Sequence, residues 1–188
     1  MTGGLIVLAV LAAVALIVVV AFVGIYNGLV ALRNEARNAW AHIDVQLKRR
    51  HDLIPNLVET VRGYMKHERE TLESVVNARA RAIQAQTPAD SVKAEADLTG
   101  ALGRLLVVVE QYPDLKASAN FQSLQGELAN TENAIGAARH QYNAAVTVYN
   151  TRTQTVPANI IAGLFGFQPM PLFEVTVEAE REAPKVKF

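Results

Sequence analysis

The chain has 188 residues, with 18 Lys and Arg balanced by 18 Asp and Glu, and no cysteine. Zero net charge argues against a sequence-independent nucleic-acid binder, which carries a basic excess. The lack of cysteine excludes a disulfide framework, thiolate metal sites and a thiol nucleophile. A low aromatic content of 6 % and an abundance of Ala, Leu, Glu, Gln and Arg favour helices over a β domain.

The charge is unevenly placed, because every charged side chain lies at or beyond Arg33. Leu5 to Ile25 contains no charge, proline or hydroxyl. About 20 apolar residues cross a hydrocarbon core as a helix, so this stretch predicts a spanning anchor over 1–26. A cleaved signal peptide would need a basic flank and a shorter apolar core. Here the flank is MTGG and the apolar run is longer. Tyr26 falls where an interfacial aromatic belongs. Arg33, Arg37 and Lys48-Arg49-Arg50 follow the apolar run and no basic residue precedes it. The positive-inside rule then places the N-terminus outside and the helical part in the cytoplasm, at a single-pass cell membrane.

A helical domain is predicted over 27–157. Stripe positions alternate by four and three through Ala36, Trp40, Ile43, Leu47, Arg50, Ile54, Leu57, Val61 and Tyr64, the pattern of a bundle seam broken once by Arg50. Pro55 either kinks one continuous helix or follows a new start capped by Asp52. The seam keeps its phase across the proline, and the helical pattern runs to about Ala85. Thr87-Pro88-Ala89-Asp90 reads as a helix start, with a cap, proline in the first turn and an acid beside it. Its apolar face is Leu98, Leu102, Leu105, Val109 and Tyr112, and Pro113 ends it, leaving Asp114 to cap the next helix. There Phe121, Leu128, Ile135, Tyr142 and Tyr149 recur every seven residues, with Leu124, Thr131, Ala138 and Ala145 interleaved. A strict seven-residue repeat implies near-parallel packing on another helix. Val156-Pro157 closes the run.

The last region, 158–188, reads differently. Ile160, Ile161, Leu164, Phe165 and Phe167 form a short apolar segment broken by Gly163 and Gly166. Phe173 to Val177 alternates, and a charged tail follows. The fold class is therefore all-α: an N-terminal transmembrane helix followed by an elongated antiparallel bundle of three or four long helices. A continuous helix from Tyr26 to Ala85 would reach about 90 Å, poorly matched to partners of about 36 and 60 Å. Length thus favours a split near Pro55 and phase favours continuity.

Several long motifs carry a resemblance. Asn38 to Glu68 reads NAWAHIDVQLKRRHDLIPNLVETVRGYMKHE; YNGLV begins at Tyr26 and YPDLKAS at Tyr112; Asn120-Phe121 gives NF. Thr131 to Asn143 reads TENAIGAARHQYN; Tyr149-Asn150 gives YN, and Phe165 to Phe167 gives FGF. In these motifs the chain resembles the LemA family, with small departures at Met65, Ala134 and Val156. The resemblance implies a bacterial single-pass membrane protein with a helical domain and no enzymatic activity. One relative, in magnetosome-forming bacteria, is linked to building an internal membrane, which implies a membrane-associated assembly role by analogy.

The residues themselves offer little chemistry. A zincin motif would need a second His four positions after His67, and position 71 is Thr. The remaining histidines, His42, His51 and His140, are scattered. Gly63, Gly100, Gly103, Gly126 and Gly136 are isolated in helical patterns and suggest close helix crossings, and Gly24 and Gly28 have the spacing of a helix-association motif. No catalytic, metal or cofactor residue is assigned. Lys48 and Arg49 read as a solvated face. Arg50, on the stripe, needs a carboxylate, and Glu132 is the candidate by position. Trp40 reads as a core aromatic.

Two functions fit: a membrane-anchored interaction or scaffold protein, or a regulatory module that passes a state along the helix leaving the bilayer, hinged at Pro55. Expected partners are the lipid bilayer, a second copy through Ile160, Ile161, Leu164, Phe165 and Phe167, and a further membrane or cytoplasmic protein, with no nucleic acid; the alternatives for that apolar segment are that it folds back onto the open end of the bundle or dips into the membrane interface.

Overall fold

A computed structural model describes residues 2–65 and 67–173. Phe173 lies at its edge; the alternating stretch beyond it and the charged tail lie outside the described residues. Among the described residues the chain is all-helical, with no strand. The helices are α1 (Thr2–Arg62), α2 (Arg69–Gln84), α3 (Pro88–Val109), α4 (Pro113–Lys116), α5 (Ala119–Gln154) and α6 (Ala158–Leu164).

α1 is long and apolar enough at its start to cross a membrane, and none of that apolar stretch is buried within the chain. It continues through Pro55 without a break, so phase rather than length decides the alternative at that residue. It does not reach Ala85. The helix stops at Arg62, and the Val61 carbonyl accepts from both Tyr64 N and Met65 N at 3.0 Å. Gly63, a weak helix former, begins this turn. The turn puts Met65 into the core and leaves Tyr64 outside, so the seam is lost at its last predicted position. From Ala36 to Val61, Ala36, Ile43, Leu47, Arg50, Ile54, Leu57 and Val61 are all buried.

Thr87 caps α3, its hydroxyl accepting from Asp90 N at 3.1 Å, with Pro88 in the first turn. Asp114 does not cap α5. It lies in the first turn of the short α4, which starts with Pro113, while α5 begins at Ala119. Gly163 does not break the apolar segment either: it lies inside α6. Gly166, at φ 68°, follows the helix, and Phe167 N closes the end on the Ala162 carbonyl at 2.9 Å. A left-handed residue in that place favours glycine. Gly103, Gly126 and Gly136 do not mark close helix crossings within the chain. A Cβ at Gly24, Gly28, Gly103, Gly126 or Gly136 would meet nothing within 4 Å.

The chain divides into two compact units. One comprises the chain up to His42 together with His140–Leu172, and the other comprises Ile43–Arg139 with Phe173. In the second, Ile54, Leu57, Val58, Val61 and Met65 share a core with Leu72, Val75, Ala78 and Ala82 of α2. Leu98 to Val109 of α3, Leu115 of α4 and Phe121 of α5 complete it. In the first, Leu29 of α1, Tyr149 of α5, and Ile161, Ala162 and Phe167 form a separate cluster, flanked by Ile25, Tyr26, Val30, Leu32 and Met170.

Candidate functional site

The second unit contains a buried polar layer where the α1 stripe is interrupted. Arg50 is buried, and its Nη1 lies 3.2 Å from Glu95 Oε2 and 3.2 Å from Glu132 Oε2. Its Nη2 donates to Thr99 Oγ1 at 2.8 Å, and Thr99 in turn donates to the Glu95 carbonyl at 2.9 Å. The other Glu95 oxygen is 2.6 Å from His51 Nε2. A carboxylate held by an arginine only accepts, so that nitrogen carries the hydrogen. Glu95 is 1 % exposed and is tolerated there because each of its carboxylate oxygens has a donor.

Sequence reasoning named Arg50 and Glu132 but not Glu95 or His51. The signal for Glu95 was present. Leu98, Leu102, Leu105 and Val109 step by four and three, and Glu95 is the next position back on that stripe. It interrupts the α3 seam as Arg50 interrupts that of α1.

Pro55 belongs to the same region. A proline inside a helix cannot donate to the carbonyl four residues earlier, which here is that of His51. Arg79 of α2 replaces the lost donor, with Nε 2.7 Å from the His51 oxygen. Pro55 itself is exposed. Nothing near it in sequence points to Arg79, which is 28 positions from the carbonyl it bonds. Lys48 pairs with Asp52 at 2.8 Å on the exposed face.

The first unit holds a clasp around the segment after α6. The Asn150 side chain bonds Met170 twice, donating from Nδ2 to its carbonyl at 2.8 Å and accepting from its N–H at 2.9 Å. Tyr149 donates to the Gln168 carbonyl at 3.0 Å and Tyr142 to that of Pro171 at 2.8 Å. Burial pushes both phenols above their ordinary value. For Tyr149, the nearby positive charges of Arg33 and Arg37 partly offset the rise. The Trp40 ring meets Tyr142 edge-on at 5.2 Å, a packing role.

The five apolar residues of the C-terminal segment are split between two environments. Ile161 and Phe167 are buried in the cluster with Leu29 and Tyr149. Ile160, Leu164 and Phe165 are 61, 71 and 50 % exposed. Phe165 still touches α1, with ring centroids 5.8 Å from Phe22 and 5.0 Å from Tyr26. Phe167 meets Tyr26 edge-on at 5.7 Å and lies under the Arg33 guanidinium at 4.8 Å.

The described residues are helical, with one long apolar helix start that is unburied within the chain, the features of a membrane-associated helical protein. The sequence model of the LemA family matches residues 39–188, and the chain belongs to that family. It is 29 % identical over 166 residues to Protein LemA of Metamycoplasma hominis, covering 88 % of this chain and 74 % of that one. It is 26 % identical over 175 residues to Magnetosome protein MamQ 1 of Paramagnetospirillum magneticum, covering 79 % of this chain and 64 % of that one. A match at 23 % identity over 174 residues, with the same coverage, is to Magnetosome protein MamQ of Magnetospirillum gryphiswaldense. The chain thus spans less than two thirds of the length of these magnetosome relatives.

Proposed function

We propose that the chain is a membrane-anchored helical scaffold that binds another protein during membrane-associated assembly. In this reading Leu5–Ile25 crosses the bacterial cell membrane once, with the N-terminus outside. Residues 27–157 form an antiparallel helical bundle on the cytoplasmic side. The observation that carries it is the continuity of α1. The helix that begins with the apolar stretch runs unbroken to Arg62 and supplies Ile54, Leu57 and Val61 to a hydrophobic core. An anchor that is also a core element ties a folded domain to a bilayer. Antiparallel packing is supported by the pairs Ser74–Arg104 at 3.2 Å and Arg81–Asp97 at 3.9 Å, whose residue numbers run in opposite directions. The magnetosome relatives support an assembly role by analogy only.

The test is site-specific crosslinking in native membranes from exposed positions such as Gln84, followed by identification of what is captured. A scaffold gives a defined protein neighbour that is lost when the bundle is unfolded by Tyr142→Asp. Capture of nothing beyond an untagged control overturns the reading. Pro55→Ala separates the scaffold from a transmitter of conformational state. A scaffold keeps its crosslinks in that variant, whereas a transmitter hinged there changes them.

A further inference from the structure

Thr153 to Phe173 contains no charged side chain. This second charge-free stretch folds against the end of the first. Along α1 the contacts follow a polarity gradient. Phe165 meets Phe22, inside the apolar run, and then Tyr26, its first polar neighbour. Phe167 meets Tyr26 and then Arg33, the first charge in the chain. At about 1.5 Å per residue, Phe22 to Arg33 covers roughly 16 Å along the helix axis, enough to run from the hydrocarbon through a headgroup layer of about 5–8 Å into water.

Within α6 the inward face, Ala158, Ile161 and Ala162, is buried against the chain. The outward face carries Ile160 and Leu164, one helical turn apart and more than 60 % exposed. Apart from the exposed Asn159 in its first turn, the helix has no polar side chain to give to water.

We propose that α6 and Phe165 lie in the boundary between hydrocarbon and headgroups, with lipid covering Ile160, Leu164 and Phe165, as a second membrane contact beside α1. The inference rests on the reading of Leu5–Ile25 as a spanning helix. Lipid is the favoured occupant because the face is continuous with that helix through Phe22 and Tyr26. Aromatic rings are favourable at this depth. The hydrogen bonds from Tyr149, Asn150 and Tyr142 to the Gln168–Pro171 backbone hold the segment in place there.

The chain has no cysteine, so single cysteines report cleanly. Full-length Val14→Cys, Leu164→Cys and Gln141→Cys variants, each carrying a polarity-sensitive fluorophore, are reconstituted into phosphatidylcholine–phosphatidylglycerol vesicles. The quenchers are lipids with a nitroxide near the headgroup, lipids with one near the chain end, and an aqueous quencher. Helical content by circular dichroism confirms that each variant is folded. Leu164 is expected to lose fluorescence to the shallow nitroxide, Val14 to the deep one, and Gln141 only to the aqueous quencher.

If Val14 is quenched by lipid but Leu164 behaves like Gln141, the segment faces water and the inference is overturned while the anchor stands. If Leu164 is shielded from lipid and water alike, a protein surface such as a second copy covers it, and the inference is again overturned. If Val14 is not quenched by lipid, the spanning reading fails and the inference falls with it.

Discussion

Glu95 is the residue on which the buried polar layer turns, because it accepts from both Arg50 and His51. Replacing it with leucine leaves a buried guanidinium short of its enclosed counter-charge. The expected loss is about 3–5 kcal/mol. Glu132 is half-exposed, and Glu132→Leu is expected to cost no more than about 1 kcal/mol. The double variant Arg50→Leu/Glu95→Leu should regain much of the loss, since an apolar pair can replace a buried ion pair. Chemical denaturation of the detergent-solubilised protein reads all three, and equal costs for the two glutamates would show that the layer is not closed on Glu95. The heptad register gives a second contrast. Tyr142→Asp buries an unpaired charge at a cost of several kcal/mol, on the order of a domain's stability. Gln141→Asp, one position away and exposed, leaves the melting temperature unchanged. The tyrosine hydroxyls also set an alkaline limit. Burial raises the Tyr142 and Tyr149 values in the folded chain, so the folded state retains its phenolic protons after the unfolded state begins to lose them near pH ~10. Their contribution is complete below that pH and is lost as pH rises through the folded values. Thermal melts across that range should fall, and a Tyr142→Phe/Tyr149→Phe variant should fall less steeply.

At the scale of elements, the proline in α1 is accommodated by a donor from another helix. The His51 carbonyl, freed by Pro55, is bonded by Arg79. Pro55→Ala supplies a backbone N–H that can take over this carbonyl. Arg79→Met is therefore expected to cost about 1–2 kcal/mol with Pro55 present and distinctly less in the Pro55→Ala background. A double-mutant cycle with no coupling would mean that the carbonyl is satisfied some other way. The start of α3 is simpler, because its cap is local. Thr87→Ala removes the acceptor for Asp90 N and is expected to cost about 1 kcal/mol, read by the same denaturation.

For the whole molecule, the central question is which side of the membrane the helical part occupies. Basic residues follow the apolar stretch of α1 and none precedes it, so the positive-inside rule predicts a cytoplasmic domain. Gln84→Cys, at the exposed end of α2, should resist a membrane-impermeant thiol reagent in intact cells and react after permeabilisation. Labelling in intact cells would reverse the orientation. A matching probe at Lys185 would report on the tail, which lies outside the described residues.

Whatever depends on near neighbours along the chain was legible in the amino-acid order. The apolar stretch, the stripes of α1, α3 and α5, the Thr87 cap and Arg50's need for a carboxylate are all set by spacings of a few residues. The stop of α1 at Arg62 was less legible, since the seam's phase continues past Gly63 and only the burial of Met65 settles where the chain turns. Tertiary structure decided the rest. It chose Glu95 together with Glu132 for Arg50, brought Arg79 to the carbonyl left by Pro55, and divided Ile160–Phe167 into a buried and an exposed face. These outcomes depend on groups tens of residues apart in sequence. A buried charge or an unpaired carbonyl makes a partner necessary, but only the packing of helices determines which partner comes within reach.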